Sequence, residues 1–267
     1  MPESTPPRKD VWAAGDLYEP YVGRWSRVVA KEFIEWLAVP PGKRWLDVGC
    51  GTGALAQTIV NEAKPARVHG VDPSAGFIEH ARARTSGATF AVEDAQSLSA
   101  GDASFDVAVA GLVLNFVPRP ERAAAEMRRV VAPGGTVGAY VWDYADKMEL
   151  MRYFWDAAVA LNPQARALDE GVRFPLCRPQ PLTRLFRDAG LDAVEVRAID
   201  APTRFRDFDD YWTPFLGGQA PAPGYCMSLD EEKRAALRER IRARLPDPIH
   251  LIARAWAVKG RVPTAGA

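Results

Sequence analysis

The chain has little cysteine, little histidine and no surplus of either charge. Its three cysteines, Cys50, Cys177 and Cys226, are odd in number and widely spaced among 267 residues. That excludes a disulfide framework and a cysteine metal cluster, and no metal site is expected. A reducing cytoplasm is the compartment such thiols suit. Lysine plus arginine and aspartate plus glutamate both number 34, so the formal net charge is zero. Such balance leaves no electrostatic footprint for nucleic acid or an anionic membrane surface, and no nucleic-acid partner is expected. No apolar run is long enough to cross a bilayer. Residues 1–10 lack the apolar stretch of a signal peptide and read as a disordered tail. There is no internal repeat. The length allows one large domain, or a core with substantial additions.

What the chain does carry is the turn Asp47-Val48-Gly49-Cys50-Gly51-Thr52-Gly53. It follows the short apolar run Arg44-Trp45-Leu46, which reads as a buried strand, and precedes Ala54 to Val60, which suit the first turns of a helix. Strand, glycine turn and helix is the setting a nucleotide-binding turn requires. Glycine lets the backbone bend tightly and lets a ligand approach with no Cβ in the way. Gly49, Gly51 and Ala54 also satisfy the G-x-G-x-x-A spacing of a dinucleotide fingerprint, so the glycines alone do not name the ligand. A pyrophosphate on this turn calls for N–H groups and helix dipole, with no carboxylate beside it. Asp47 would repel it and would attract a ligand bearing ammonium and sulfonium groups.

Further along, strands at 67–71, 89–92, 105–110 and 136–142 alternate with helical patterns at 74–81 and 120–131. An earlier helix is expected over 17–37, stopped by Pro40-Pro41-Gly42. Alternation of this kind predicts an α/β fold, a doubly wound and mostly parallel sheet covered on both faces. Ligands of open α/β sheets lie beyond the carboxyl ends of the strands. Asp47, Asp72, Asp94, Asn115 and Trp142 all fall at or just past those ends. Asp72 can accept from both ribose hydroxyls. Asp94 can accept from an adenine amine, with Ala95 supplying a backbone N–H. One carboxylate per strand end fits S-adenosylmethionine better than NAD.

The segments Leu46 to Gly53, Gly70-Val71-Asp72-Pro73-Ser74, Glu93-Asp94-Ala95, Phe105-Asp106, Leu114 to Pro118 and Arg129 to Gly135 together resemble the class I S-adenosylmethionine-dependent methyltransferases, in particular the bacterial small-molecule subgroup of the ubiquinone/menaquinone type. The resemblance covers residues 45–142. It implies a seven-stranded Rossmann-like sheet with the last strand reversed, which segments 193–199 and 249–258 can supply, plus added helical lid segments. It also implies a cofactor site of Asp47, Gly49, Cys50, Gly51, Gly53, Asp72, Pro73, Asp94, Ala95 and Asn115. The segment at 18–26 resembles one that folds over the cofactor in this subgroup, making Tyr18, Tyr21, Arg24 and Trp25 lid candidates, with Arg24 facing the cofactor carboxylate.

Three regions are therefore expected: a tail and lid helix over 1–40, a cofactor-binding core over 41–145, and substrate-side helical insertions with the last two strands over 146–267. Within the third, helices are expected at 147–161, 182–189 and 229–245, with a Pro-rich connection at 164–180. The implied reaction is direct in-line methyl transfer to an apolar or aromatic small molecule, with no fixed catalytic base. Asn115, Trp142, Asp143 and Tyr144 lie near the expected acceptor pocket. Tyr153, Phe154, Trp155, Phe205, Phe208, Tyr211, Trp212 and Phe215 suit either apolar walls for that acceptor or the packing face of the added helices. Cys50 reads as a small neutral filler. His69, His80 and His250 sit away from carboxyl strand ends and carry no catalytic role. The rival readings are an NAD(P)-dependent oxidoreductase, opposed by Asp47 and by the lack of a Tyr-x-x-x-Lys pair near the fifth strand, and a non-catalytic cofactor-binding protein of the same fold.

Overall fold

Seven strands form one sheet in the order β3-β2-β1-β4-β5-β7-β6. The computed structural model describes residues 23–218 and 220–264, with Arg24 described by its backbone only. Tyr18, Tyr21 and the Arg24 side chain, expected in the lid, thus lie outside the described residues. In chain order the elements are α1 (Arg24–Leu37), β1 (Arg44–Val48), α2 (Ala54–Glu62), β2 (Arg67–Asp72), α3 (Ala75–Arg84), β3 (Thr89–Val92), β4 (Phe105–Gly111), α4 (Pro120–Val130) and β5 (Val131–Trp142). There follow α5 (Glu149–Leu161), α6 (Glu170–Arg173), α7 (Pro179–Asp188), β6 (Asp192–Arg204), α8 (Phe208–Trp212), α9 (Pro221–Ser228), α10 (Glu231–Arg242) and β7 (His250–Arg261).

The central strands are apolar on both faces because helices cover both. In β1 and β4, Trp45, Leu46, Val48, Val107, Ala108, Val109 and Ala110 are all buried. β1 pairs parallel with β2 on one side and with β4 on the other. The strand order reverses between β1 and β4, and in doubly wound sheets that switch point opens the ligand crevice. β7 runs antiparallel to both β5 and β6, so it is the reversed strand. Above the sheet, α1 buries Val29, Phe33, Ile34 and Leu37.

Several boundaries differ from the sequence pattern, each for a local reason. Pro133-Gly134-Gly135 reads as a stop between helix and strand. Instead β5 already begins at Val131, and the register against β4 slips from Phe105↔Val131 to Val107↔Thr136. The extra residues form an irregularity that Gly134, at φ 77°, makes possible. β6 runs on to Arg204 through Pro202, which an edge strand tolerates. The Pro-rich connection is partly helical: a 3-10 turn at Pro163–Leu168, then α6. The charged stretch at 229–245 forms one helix, two residues shorter at its start and three at its end. Its body is α10, whose start is fixed by Asp230 accepting from the Lys233 amide at 2.9 Å.

Candidate cofactor and active site

The glycine turn is fastened to the neighbouring strand. The amides of Gly49 and Cys50 both donate to the Val71 carbonyl, at 2.8 and 2.9 Å. One turn later the Gly51 amide donates to Asp72 Oδ2 at 3.0 Å, while Asp72 Oδ1 accepts from Ser74 N at 2.9 Å. Gly49 adopts φ 70°, and a Cβ there would lie 2.5 Å from the Val113 side chain, so only glycine fits. Gly53, at φ 89°, is the residue from which α2 starts.

A cavity of about 210 Å³ opens over this turn, at the switch point between β1 and β4. Its floor is Asp47, Gly49, Cys50, Gly51 and Asp72, five of the residues expected from sequence. Its apolar walls come from Leu55, Phe77, Leu112, Val113, Phe116 and Tyr140, with Ser26 of α1 also on the lining. Those wall residues were missed by sequence reasoning. Tyr140 carried a faint signal, lying near the carboxyl end of β5. Leu112 carried none, although it adopts φ 58° as its amide donates to the Tyr140 carbonyl at 2.8 Å.

Asp47 is fully buried, and neither carboxylate oxygen has a hydrogen-bond partner among the described residues. Burial pushes its pKa up to about 7; the Ala56 amide offsets this in part without reaching hydrogen-bond geometry, and Asp72 nearby raises it a little further. Asp72 is raised too, by burial, against the two amides that bind it. Burial likewise holds the Cys50 thiol far above its usual range, so it is a neutral wall group and not a nucleophile.

The remaining expected residues stand outside that lining. Pro73 is exposed beside Asp72. Asp94 lies exposed past β3, its carboxylate accepting from Gln96 N at 2.8 Å and from Gln96 Nε2 at 3.1 Å, which lowers its pKa. Glu93 next to it is bound to Ser99 N and Oγ, at 3.0 and 2.7 Å. Ala95 is buried. Asn115 sits in a 3-10 turn, Leu114–Phe116, between cavity residues Val113 and Phe116, with both amide atoms buried and unpartnered among the described residues.

Of the acceptor-side aromatics, most are packing. Phe154, Trp155, Phe205, Tyr211, Trp212 and Phe215 are buried in one stack, with Trp25 against Phe205 (5.3 Å between centroids) and Phe154 against Phe215 (4.6 Å). Phe208 is half-buried, stacked on Tyr211 and Trp212, with the guanidinium groups of Arg238 and Arg242 at 5.1 and 4.4 Å from its ring. Tyr153 is half-buried. Trp142 is buried, and Asp143 accepts from the Lys147 amide at 3.2 Å, holding the bend into α5. No group of three or more potential metal ligands occurs among the described residues.

An open α/β sheet with a glycine turn and acidic strand ends at its switch point defines a Rossmann-like cofactor-binding protein. Residues 46–138 match the family described as methyltransferase domain. An "uncharacterized 37.1 kDa protein" of a Streptomyces fradiae transposon is 35% identical over 203 residues, 66% of this chain but only 58% of that protein. The ubiquinone/menaquinone biosynthesis C-methyltransferase of Ralstonia pickettii is 34% identical over 177 residues, 61% of this chain and 72% of that enzyme. Among solved structures, a phosphoethanolamine N-methyltransferase of Haemonchus contortus bound to S-adenosylhomocysteine superposes with a TM-score of 0.58, covering 93% of this chain and 57% of that one. At 16% identity this last likeness concerns the fold alone. The chain belongs to the class I S-adenosylmethionine-dependent methyltransferases. Its cofactor is S-adenosylmethionine, and the oxidoreductase reading falls away. The residues fit that cofactor: a buried carboxylate without a partner among the described residues suits a cation, and the glycine floor leaves no Cβ between backbone and ligand.

Proposed function

We infer that the protein transfers a methyl group to an apolar or aromatic small molecule. The observation that carries this reading is Asp47, a buried carboxylate without a partner among the described residues, on the floor of a cavity with apolar walls. When bound, the cofactor supplies a methyl group already activated by its sulfonium, so the protein's work is positioning and exclusion of water. Asp47 presents negative charge to the cofactor's cationic end. Asp72 is held by the Gly51 and Ser74 amides where it can accept from ribose hydroxyls. Gly53, Pro73, Asp94, Ala95 and Asn115 complete the proposed cofactor set, Asp94 by accepting from the adenine amine once Gln96 releases it. Leu55, Leu112, Val113 and Tyr140 keep water from the reacting end.

A small-molecule acceptor accords with the quinone-pathway enzyme among the relatives, and a reducing cytoplasm with three buried, unpaired thiols. No described helix is long and apolar enough to cross a membrane. Calorimetric titration should show S-adenosylmethionine binding with no comparable affinity for NAD. Incubation with a library of aromatic small molecules should then release S-adenosylhomocysteine. Binding of NAD alone would overturn the cofactor assignment, and tight cofactor binding with no turnover on any acceptor would favour the non-catalytic reading.

A further inference from the structure

Tyr140 stands on the same face of the sheet as Asp47. Asp47 is in register with Val109 of β4, and Val109 with Gly138 of β5. Two residues further along, Gly111 is in register with Tyr140. The two-residue period of a strand returns both to the face on which Asp47 lies. That face is the one under α1. A Cβ at Gly138 would come 3.0 Å from Phe33 and from Leu37, and the Tyr140 ring is tilted against Phe33 at 4.8 Å.

From β5 the ring reaches across β4. A Cβ at Gly111 would lie 2.6 Å from the Tyr140 hydroxyl oxygen and 3.0 Å from Leu55. Gly111 is thus the cradle of that oxygen, and any larger residue would push it off β4. Tyr140, Gly111 and Leu55 all line the cavity, and Tyr140 is buried, so the oxygen belongs to a wall shielded from bulk water. The sheet order runs β2, β1, β4, β5. Asp72 ends β2, Asp47 lies on β1, and the Tyr140 oxygen rests over β4. A donor with its ribose at Asp72 and its cationic end at Asp47 therefore extends toward the hydroxyl.

We propose that Tyr140 is a specificity-determining residue that separates the methyl donor from its demethylated product, by presenting its hydroxyl oxygen to the sulfonium. The proposal rests on the methyltransferase reading and deepens it. A hydroxyl keeps acceptor lone pairs wherever its proton is directed. In a buried wall the attraction of such a lone pair for a cation is stronger than in water. When the methyl group passes to the acceptor, the electron pair of the broken carbon–sulfur bond stays on sulfur. The sulfur becomes a neutral thioether, and its attraction to the Tyr140 oxygen is lost. Tyr140 thereby holds the donor and lets the product go. Because the cation fades as transfer proceeds, this contact serves selection of the donor and not the rate of the chemical step.

The test measures, by calorimetry on the full chain, the affinities for S-adenosylmethionine and S-adenosylhomocysteine and takes their ratio. Tyr140→Phe removes one oxygen and keeps the ring on Phe33, so the fold should be retained. It should weaken S-adenosylmethionine by roughly threefold or more, the scale of a lost hydrogen bond, while S-adenosylhomocysteine stays within twofold. Gly111→Ala, whose Cβ displaces the hydroxyl, should move the ratio in the same direction. A ratio unchanged from wild type in the folded Tyr140→Phe chain would overturn the role of Tyr140. Binding of neither ligand by the wild-type chain would instead overturn the methyltransferase reading on which it rests.

Discussion

Asp47 combines full burial with a charge that has no partner among the described residues, so its proton is tied to the arrival of a ligand. Its pKa lies near 7, raised from the ordinary carboxylate range. Below that pH the free protein holds the group neutral, and a cationic ligand must first expel the proton. Affinity for S-adenosylmethionine is therefore expected to fall by up to about tenfold per pH unit below 7 and to level off above it. Calorimetry in two buffers of different ionisation enthalpy should record proton release at pH 6 and little at pH 8.5. A flat profile would take Asp47 out of contact with the cation. Asp47→Asn should weaken cofactor binding by about 2–3 kcal/mol, the scale of a lost charged hydrogen bond, and abolish the pH dependence. Gly49→Ala acts through the backbone. With φ at 70° and Val113 in the way, it should cost about 1–3 kcal/mol of stability, read as a lowered Tm together with lost cofactor affinity.

Among the elements, α6 carries an unusual load, because Glu170 brings a buried carboxyl into it. Burial raises that group to about 8, well above its unfolded value near 4.5, with the Trp155 indole and the Glu170 amide acting the other way. The folded state holds a proton that the unfolded chain releases, so stability is lost as pH rises from about 4.5 to about 8, by up to about 1.4 kcal/mol per unit. Glu170→Gln keeps an acceptor for the indole and does not titrate. Its stability relative to wild type, measured by denaturant titration, should grow across that window; a constant difference would show that Glu170 is ionised in the fold. The sequence made the motif-bearing elements plain, because Asp47, Gly49, Gly51 and Asp72 must occupy fixed places on one turn and one strand end. It hid the start of β5 and the extension of β6, where Pro133 and Pro202 argue locally for a break. Sheet pairing overrides that argument through an irregularity in one case and a free edge in the other. The walls at Leu112, Val113 and Tyr140 were hidden because apolar residues at strand ends look alike whether they face a ligand or a helix. The same ambiguity concealed which aromatics would be packing.

Over the whole molecule, one cavity draws on distant parts of the chain. Ser26 of α1 lines it together with the turn after β1, the end of β4 and Tyr140 of β5. Trp25 beside Ser26 packs on Phe205, just past the end of β6. A chain lacking residues 1–26 should keep its far-ultraviolet circular dichroism and lose at least tenfold in cofactor affinity; unchanged affinity in the folded truncation would detach this segment from the site.

The placement of β7 also bears on how the sheet can be made. Among the described residues β6 pairs only with β7, and β7 lies between β6 and β5. As the polypeptide leaves the ribosome, β1 to β5 can assemble around the cofactor turn while β6 waits with no neighbour. The open edge of β5 is left bare until His250–Arg261 emerges and closes both gaps at once. Unpaired strand edges invite association with other chains. A ribosome stalled before residue 250 would therefore hold a chain with its methyl-donor turn formed but its sheet unsealed, and chaperone capture should concentrate in that interval of synthesis.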